Sequence, residues 1–199
     1  MNKLWKYNTT GIDDELFIRG RVPMTKSEVR SVTLSKLKLI DGLNVLDVGA
    51  GTGSVSIECA SMNCRVTAIE RNLDGIELIH QNIIHFGLKD VKVISGYAPE
   101  DLPSDESYDR VFIGGSGGNI KEIFEYLTSH LKQGGIFVAN TITIENTYLI
   151  TRLLNEFGYQ NIEAVTLNVS RSKNVGKVHM MMAENPITIL SGIRGEDNE

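Results

Sequence analysis

Val45-Leu46-Asp47-Val48-Gly49-Ala50-Gly51-Thr52-Gly53, followed downstream by Ala68-Ile69-Glu70-Arg71-Asn72, decides how this chain reads. An apolar run that breaks into a glycine turn marks a strand entering a helix, and a second apolar run closing on an acid marks the next strand. The turn lets backbone approach a ligand closely, and an acid about twenty residues on accepts hydrogen bonds from ribose hydroxyls. The stretch predicts a nucleoside site on a strand-helix-strand unit. A glycine turn with no ligand, and Glu70 as a helix N-terminal acid, are the plainer alternatives.

Outward from this stretch, apolar runs alternate with helical spacing. Strands are expected at Asn44 to Val48, Arg65 to Glu70, Val91 to Ser95, Asp109 to Ile113 and Ile136 to Asn140. Helices are expected at Val55 to Ser61, at Leu73 to Phe86 between Asn72 and Gly87, and at Asn119 to Leu131, the last stopped by Gly134-Gly135. Thr25-Lys26-Ser27-Glu28 reads as a capping box opening a helix through about Leu37. After Glu145 a helix runs to Phe157, and two extended segments follow at Ile162 to Ser170 and Lys177 to Ala183. This order predicts an α/β, Rossmann-like, doubly wound and mostly parallel sheet covered on both faces.

The 199 residues suit one domain with an ample core, and a net charge of -5 disfavours a broad nucleic-acid surface. Cys59 and Cys64 lie close together without metal-ligand spacing, so they read as buried small hydrophobes in a reducing cytosol, with no metal site. Residues 1–10 are polar, and no window reaches membrane-spanning length. A cytoplasmic protein with neither membrane nor nucleic-acid partner is expected.

A dinucleotide fingerprint runs G-x-G-x-x-G, whereas this turn runs G-x-G-x-G with Ser54 in the final place. Asp47, two residues before the first glycine, repels phosphate and suits the ammonium of a methionine moiety. The motif resembles the class I S-adenosylmethionine-dependent methyltransferases. That resemblance implies a seven-stranded sheet with an antiparallel last strand and S-adenosylmethionine as cofactor. It implies cofactor contacts from Asp47, Gly49, Ala50, Gly51, Thr52, Gly53 and Glu70, with the backbone amide of Ala98 on the adenine ring. Tyr97 departs from the resemblance, since an aspartate is common there.

The loop after the fourth strand reads Phe112-Ile113-Gly114-Gly115-Ser116-Gly117-Gly118. It lacks the (D/N)-P-P-(Y/F/W) grip of enzymes that methylate exocyclic nitrogens of bases. Its glycines open space and expose amides, which suits a bulky anionic ligand; a flexible turn is the plainer reading. The loop also matches G-x-S-x-G, so a hydrolase with Ser116 as nucleophile, Glu145 as acid and His179 as base is a rival. That rival leaves Asp47, the first glycine turn and Glu70 unexplained.

Gly11 to Ile18, Val22-Pro23-Met24-Thr25, Asp47 to Gly53, Ala68 to Asn72, Ala98-Pro99-Glu100 and Gly114 to Gly118 together resemble a narrower family. It is the decarboxylating cobalt-precorrin-6B carbon-15 methyltransferases of anaerobic cobalamin synthesis. The resemblance implies methyl transfer to carbon 15, loss of carbon dioxide from the ring C acetate, a cofactor contact from Thr25 and a homotetramer. It divides the single domain, 1–199, into a substrate-side segment of about residues 1–40 and a core of about 41–192. No acid or base stands out, and none is assigned. A polycarboxylate corrinoid needs local cations, which Arg19, Arg21, Lys26 and Arg30, or Arg171, Lys173 and Lys177, supply. Arg19, Arg21 and Arg171 lead that group, with Gly114, Gly115, Ser116, Gly117 and Gly118 against the macrocycle.

Overall fold

The computed structural model describes residues 4–195, so residues 1–3 of the polar stretch 1–10 and residues 196–199 lie outside the described residues. Its elements are α1 (Ser27–Leu37), β1 (Asn44–Val48), α2 (Ser54–Ser61), β2 (Arg65–Glu70), α3 (Leu73–Phe86), β3 (Val91–Ser95) and β4 (Tyr108–Ile113). They continue with α4 (Ile120–His130), β5 (Leu131–Thr141), α5 (Ile144–Glu156), β6 (Tyr159–Leu167), β7 (Ser170–Val175), β8 (Val178–Ala183) and β9 (Ile187–Arg194).

Seven strands pair in the order β3-β2-β1-β4-β5-β9-β6. β1 lies parallel to both β2 and β4, with Asp47 opposite Ala68 on one side and Phe112 on the other. Chain order reverses across β1, and a crevice opens beyond the carboxyl ends of strands at such a point. Alternation along β1 sends Leu46 and Val48 into the core under α4 and α5, and Val45 into the core under α1 and α2. Each buried side chain of that size contributes about 1.5–3 kcal/mol, so β1 is held from both faces.

Three expectations are corrected. The capping box does not form: α1 begins at Ser27, whose amide donates to Asp14 Oδ1 at 3.0 Å, so a distant carboxylate caps the helix. Gly134-Gly135 do not stop α4, which ends at His130; they lie inside β5, where the register slips between Tyr108 and Arg110 of β4. Buried Leu131 pairs with Tyr108 and starts the strand early.

The segment Lys177 to Ala183 is not the last strand of the sheet. It falls in a separate β7–β8 hairpin, and the antiparallel strand is β9, inserted between β5 and β6. β9 buries Ile189, Leu190 and Ser191 consecutively because it is covered on both faces, so no alternation betrays it.

Candidate functional site

The glycine turn hangs from the ends of β1 and β2. The amides of Gly49 and Ala50 both donate to Ile69 O, at 3.0 and 3.2 Å, and Asn82 Nδ2 donates to Thr52 O at 3.0 Å from α3. Gly49, Gly51 and Gly53 have φ of +68°, +60° and +76°, a region that L side chains rarely occupy. Gly49 has a second constraint: a Cβ there would stand 2.3 Å from Gly115 O. The loop after β4 is tied to the same strand, with the amides of Gly114 and Gly115 donating to Val48 O at 2.9 and 3.3 Å. Two glycine loops are thereby packed back to back at the end of β1.

Glu70 locks the arrangement. Its Oε2 accepts from Gly51 N at 2.8 Å, and its Oε1 accepts from Arg71 N and Asn72 N, each at 2.9 Å. Asn72 then caps α3 by accepting from Asp74 N at 2.9 Å. The carboxylate stands at a fixed place on the wall of a cavity of about 800 Å³. That volume is in the range of small-molecule and cofactor sites.

The cavity wall brings together Thr25, Gly49, Ala50, Gly51, Glu70, Ala98, Gly114, Gly115, Ser116 and Gly117 from the expected site. Tyr97 joins them, 57 % exposed. Asp47, Thr52, Gly53 and Gly118 do not reach the wall. Asp47 is wholly buried behind the turn, where Oδ2 accepts from Ser56 Oγ at 2.5 Å and Oδ1 has no partner among the described residues. Burial pushes its pKa up from 3.8 to about 7 against the hydrogen bonds from Ser56, with a further rise from the nearby Glu70 charge. In this position its carboxyl group ties α2 to β1 through Ser56.

The cations expected to hold carboxylates are mostly elsewhere. Arg19 and Arg21 are exposed and off the wall. Arg30 is fully buried, paired with Glu58 and Asp14 and donating to the carbonyls of Ile12 and Thr25. Arg171, on β7, is engaged by Glu28, by Asp14 at 3.6 Å and by Glu184 at 2.9 Å. Lys173 and Lys177 are exposed on the hairpin. Arg171 thereby ties the hairpin to the N-terminal segment and α1 through Asp14 and Glu28. Lys26 does line the cavity, as does Arg71, which directly follows Glu70 and carries no motif signal of its own. Asn119, Asn140, Asn146 and Asn185 also lie on the wall, and no motif spacing marks them.

The hydrolase constellation is not assembled. Ser116 lines the cavity, but Glu145 and His179 are exposed and do not.

The model of the precorrin methyltransferase domain family matches residues 16–194. The chain belongs to the precorrin methyltransferase family. Within that family, it is 37% identical over 188 residues to the Salmonella typhimurium cobalt-precorrin-6B C(15)-methyltransferase (decarboxylating), covering 93% of this chain and 97% of that one. It is 40% identical over 192 residues to a probable enzyme of the same name from Pyrobaculum calidifontis, covering 94% and 97%. The crystal structure of precorrin-6y C5,15-methyltransferase from Geobacter metallireducens superposes with a TM-score of 0.87 at 38% identity, covering 94% of this chain and all of that one. The seven-stranded sheet with its antiparallel β9 is the class I methyltransferase architecture, and this family member is a methyltransferase by fold and by descent. No helix among the described residues is long and apolar enough to cross a membrane.

Proposed function

We propose that this chain methylates carbon 15 of cobalt-precorrin-6B, with S-adenosylmethionine as donor, and releases the ring C acetate carboxylate as carbon dioxide, giving cobalt-precorrin-7. The observation that carries the reading is the pair of glycine loops, Gly49–Gly51 and Gly114–Gly117, meeting on one cavity wall beside Glu70. Agreement with the carbon-15 enzymes over nearly the whole chain supports the choice of substrate.

Glu70 fits the cofactor's ribose. A carboxylate has about four acceptor sites, and backbone amides use three of them, which fixes the group and leaves it able to accept from a hydroxyl. Ala98 and Thr25 stand on the same wall to meet adenine and the far side of the cofactor. Asp47, Thr52 and Gly53 hold the turn from behind, and Gly118 completes the second loop. When bound, the sulfonium supplies an already activated methyl group.

The chain's own part is alignment and exclusion of water. Gly114, Gly115, Ser116 and Gly117 carry little side-chain bulk and leave room on the cavity wall for a macrocycle. The apolar wall of Val29, Phe112, Ile150 and Ile187 keeps water from the reacting face. Holding an electron-rich carbon in line with the methyl group accounts for catalysis without a protein base. The conjugated ring takes the electron pair of the breaking carbon–carboxyl bond, and the remaining methylene takes up a proton to become a methyl group, balancing the proton that carbon 15 loses on methylation.

The same reading makes the chain one methyltransferase domain, with the core at about 41–192, acting in the cytoplasm as a homotetramer. Val175, Val178, Met180, Met181 and Met182 are 46–65% exposed on the β7–β8 hairpin and support an assembly.

Calorimetry with S-adenosylhomocysteine tests the cofactor assignment. Binding is expected, and Glu70→Ala should weaken it by roughly 1.5–3 kcal/mol, the worth of a hydrogen bond to a charged group. NADH binding without S-adenosylhomocysteine binding would overturn the reading. Transfer of a labelled methyl group into the corrinoid tests the substrate.

A further inference from the structure

We propose that Arg71, seated across Gly117, is the anchor for a peripheral carboxylate of the substrate; this rests on the corrinoid reading above. Among the described residues the cavity wall carries two cations, Lys26 and Arg71. Lys26 Nζ already lies 3.9 Å from Asp14 Oδ2. Arg71 is in none of the ion pairs among the described residues, and the Glu70 carboxylate beside it is turned onto backbone amides. It is the cation on the wall with its charge unspent.

Two contacts hold its guanidinium in place. The first is Tyr97, whose ring centroid lies 5.8 Å from Arg71 Cζ. An aromatic face fixes the plane of a guanidinium without neutralising it, whereas an acid at position 97 would pair with it. The second is Gly117. A Cβ there would stand 3.0 Å from Arg71 Nη1 and 3.4 Å from Cζ, and φ is +62°. Glycine at 117 is therefore the seat over which the guanidinium lies.

The fork is presented at the edge of the loop that leaves room for the macrocycle. A planar guanidinium matches a planar carboxylate through two parallel N–H···O bonds, and the proposed substrate carries carboxylates around its rim. Arg71 then selects and orients the substrate, a task expected from the sequence of Arg19, Arg21 and Arg171. The charges of the last lie bound to Glu28, Asp14 and Glu184.

The test is steady-state kinetics with cobalt-precorrin-6B, beside calorimetry with S-adenosylhomocysteine. Arg71→Ala should raise KM for the corrinoid at least tenfold and leave S-adenosylhomocysteine affinity within about twofold. Arg71→Lys should recover only part of the loss, because lysine keeps charge but not the fork. Gly117→Ala should raise the same KM severalfold by displacing the guanidinium, with Arg71 itself intact. KM of the wild type should rise with salt more steeply than that of Arg71→Ala. An unchanged KM in Arg71→Ala, or an equal loss of cofactor affinity, would remove Arg71 from the substrate. A wild type that turns over no corrinoid would instead remove the functional reading, so the two failures are distinct.

Discussion

Replacing Asp47 by asparagine should remove a pH dependence built into the turn. Asp47 is wholly buried, one oxygen bonded to Ser56 and the other unpartnered, and burial raises its pKa from 3.8 to about 7. Between those values the folded chain holds a proton that the unfolded chain has released. At this site the native state therefore binds more protons, and the contribution of Asp47 to stability falls as pH rises from about 4 through 7. At about 1.36 kcal/mol per pH unit, the rise from 3.8 to about 7 is of the order of 4 kcal/mol, reached by pH 8. Asparagine has nearly the same shape, accepts from Ser56 and carries no charge. Urea unfolding of both proteins from pH 4 to pH 8 isolates the effect, because other titrating groups cancel in the difference. The variant should gain on the wild type steadily across that range. A difference independent of pH would refute a proton held by Asp47.

Three further outcomes follow from the packing. Gly49→Ala should be destabilising by about 1–3 kcal/mol and abolish S-adenosylhomocysteine binding, since its Cβ would meet Gly115 O at 2.3 Å; thermal melts and calorimetry check both parts. Arg30→Ala should cost about 3–5 kcal/mol in denaturant unfolding, because it strands the buried carboxylates of Glu58 and Asp14; an unaltered midpoint would show that the pair is not buried as described. Ser116→Ala should keep methyl transfer within about tenfold, since one ordinary hydrogen bond is worth on the order of 1 kcal/mol, and stoichiometric labelling of Ser116 by a fluorophosphonate would favour the hydrolase instead.

What the sequence displayed was the local part of the site. A glycine turn between two apolar runs can be read without neighbours, because strand, turn and acid are consecutive, and β1, β2 and Glu70 lie where that pattern put them. β9 was hidden because burial on both faces removes the alternation that marks a strand. The cap of α1 was hidden for a different reason. Asp14 supplies it from thirteen residues away, a tertiary contact that Thr25 and Glu28 imitate locally.

Charge was the least legible feature. Arg19, Arg21 and Arg171 look available in a chain of net charge -5, and only folding shows Arg171 bound to Glu28, Asp14 and Glu184. Arg71 directly follows the acid in sequence, and no local spacing marks it. Its role depends on Tyr97 and Gly117, which arrive from two other strand ends.

The most direct measurement of the proposed activity is the mass of the corrinoid after incubation of the chain with S-adenosylmethionine and cobalt-precorrin-6B, with released carbon dioxide counted alongside. The expected result is a product that has gained one methyl group and lost one carbon dioxide, in equal amounts. Unchanged corrinoid in the presence of a chain that binds S-adenosylhomocysteine would contradict it.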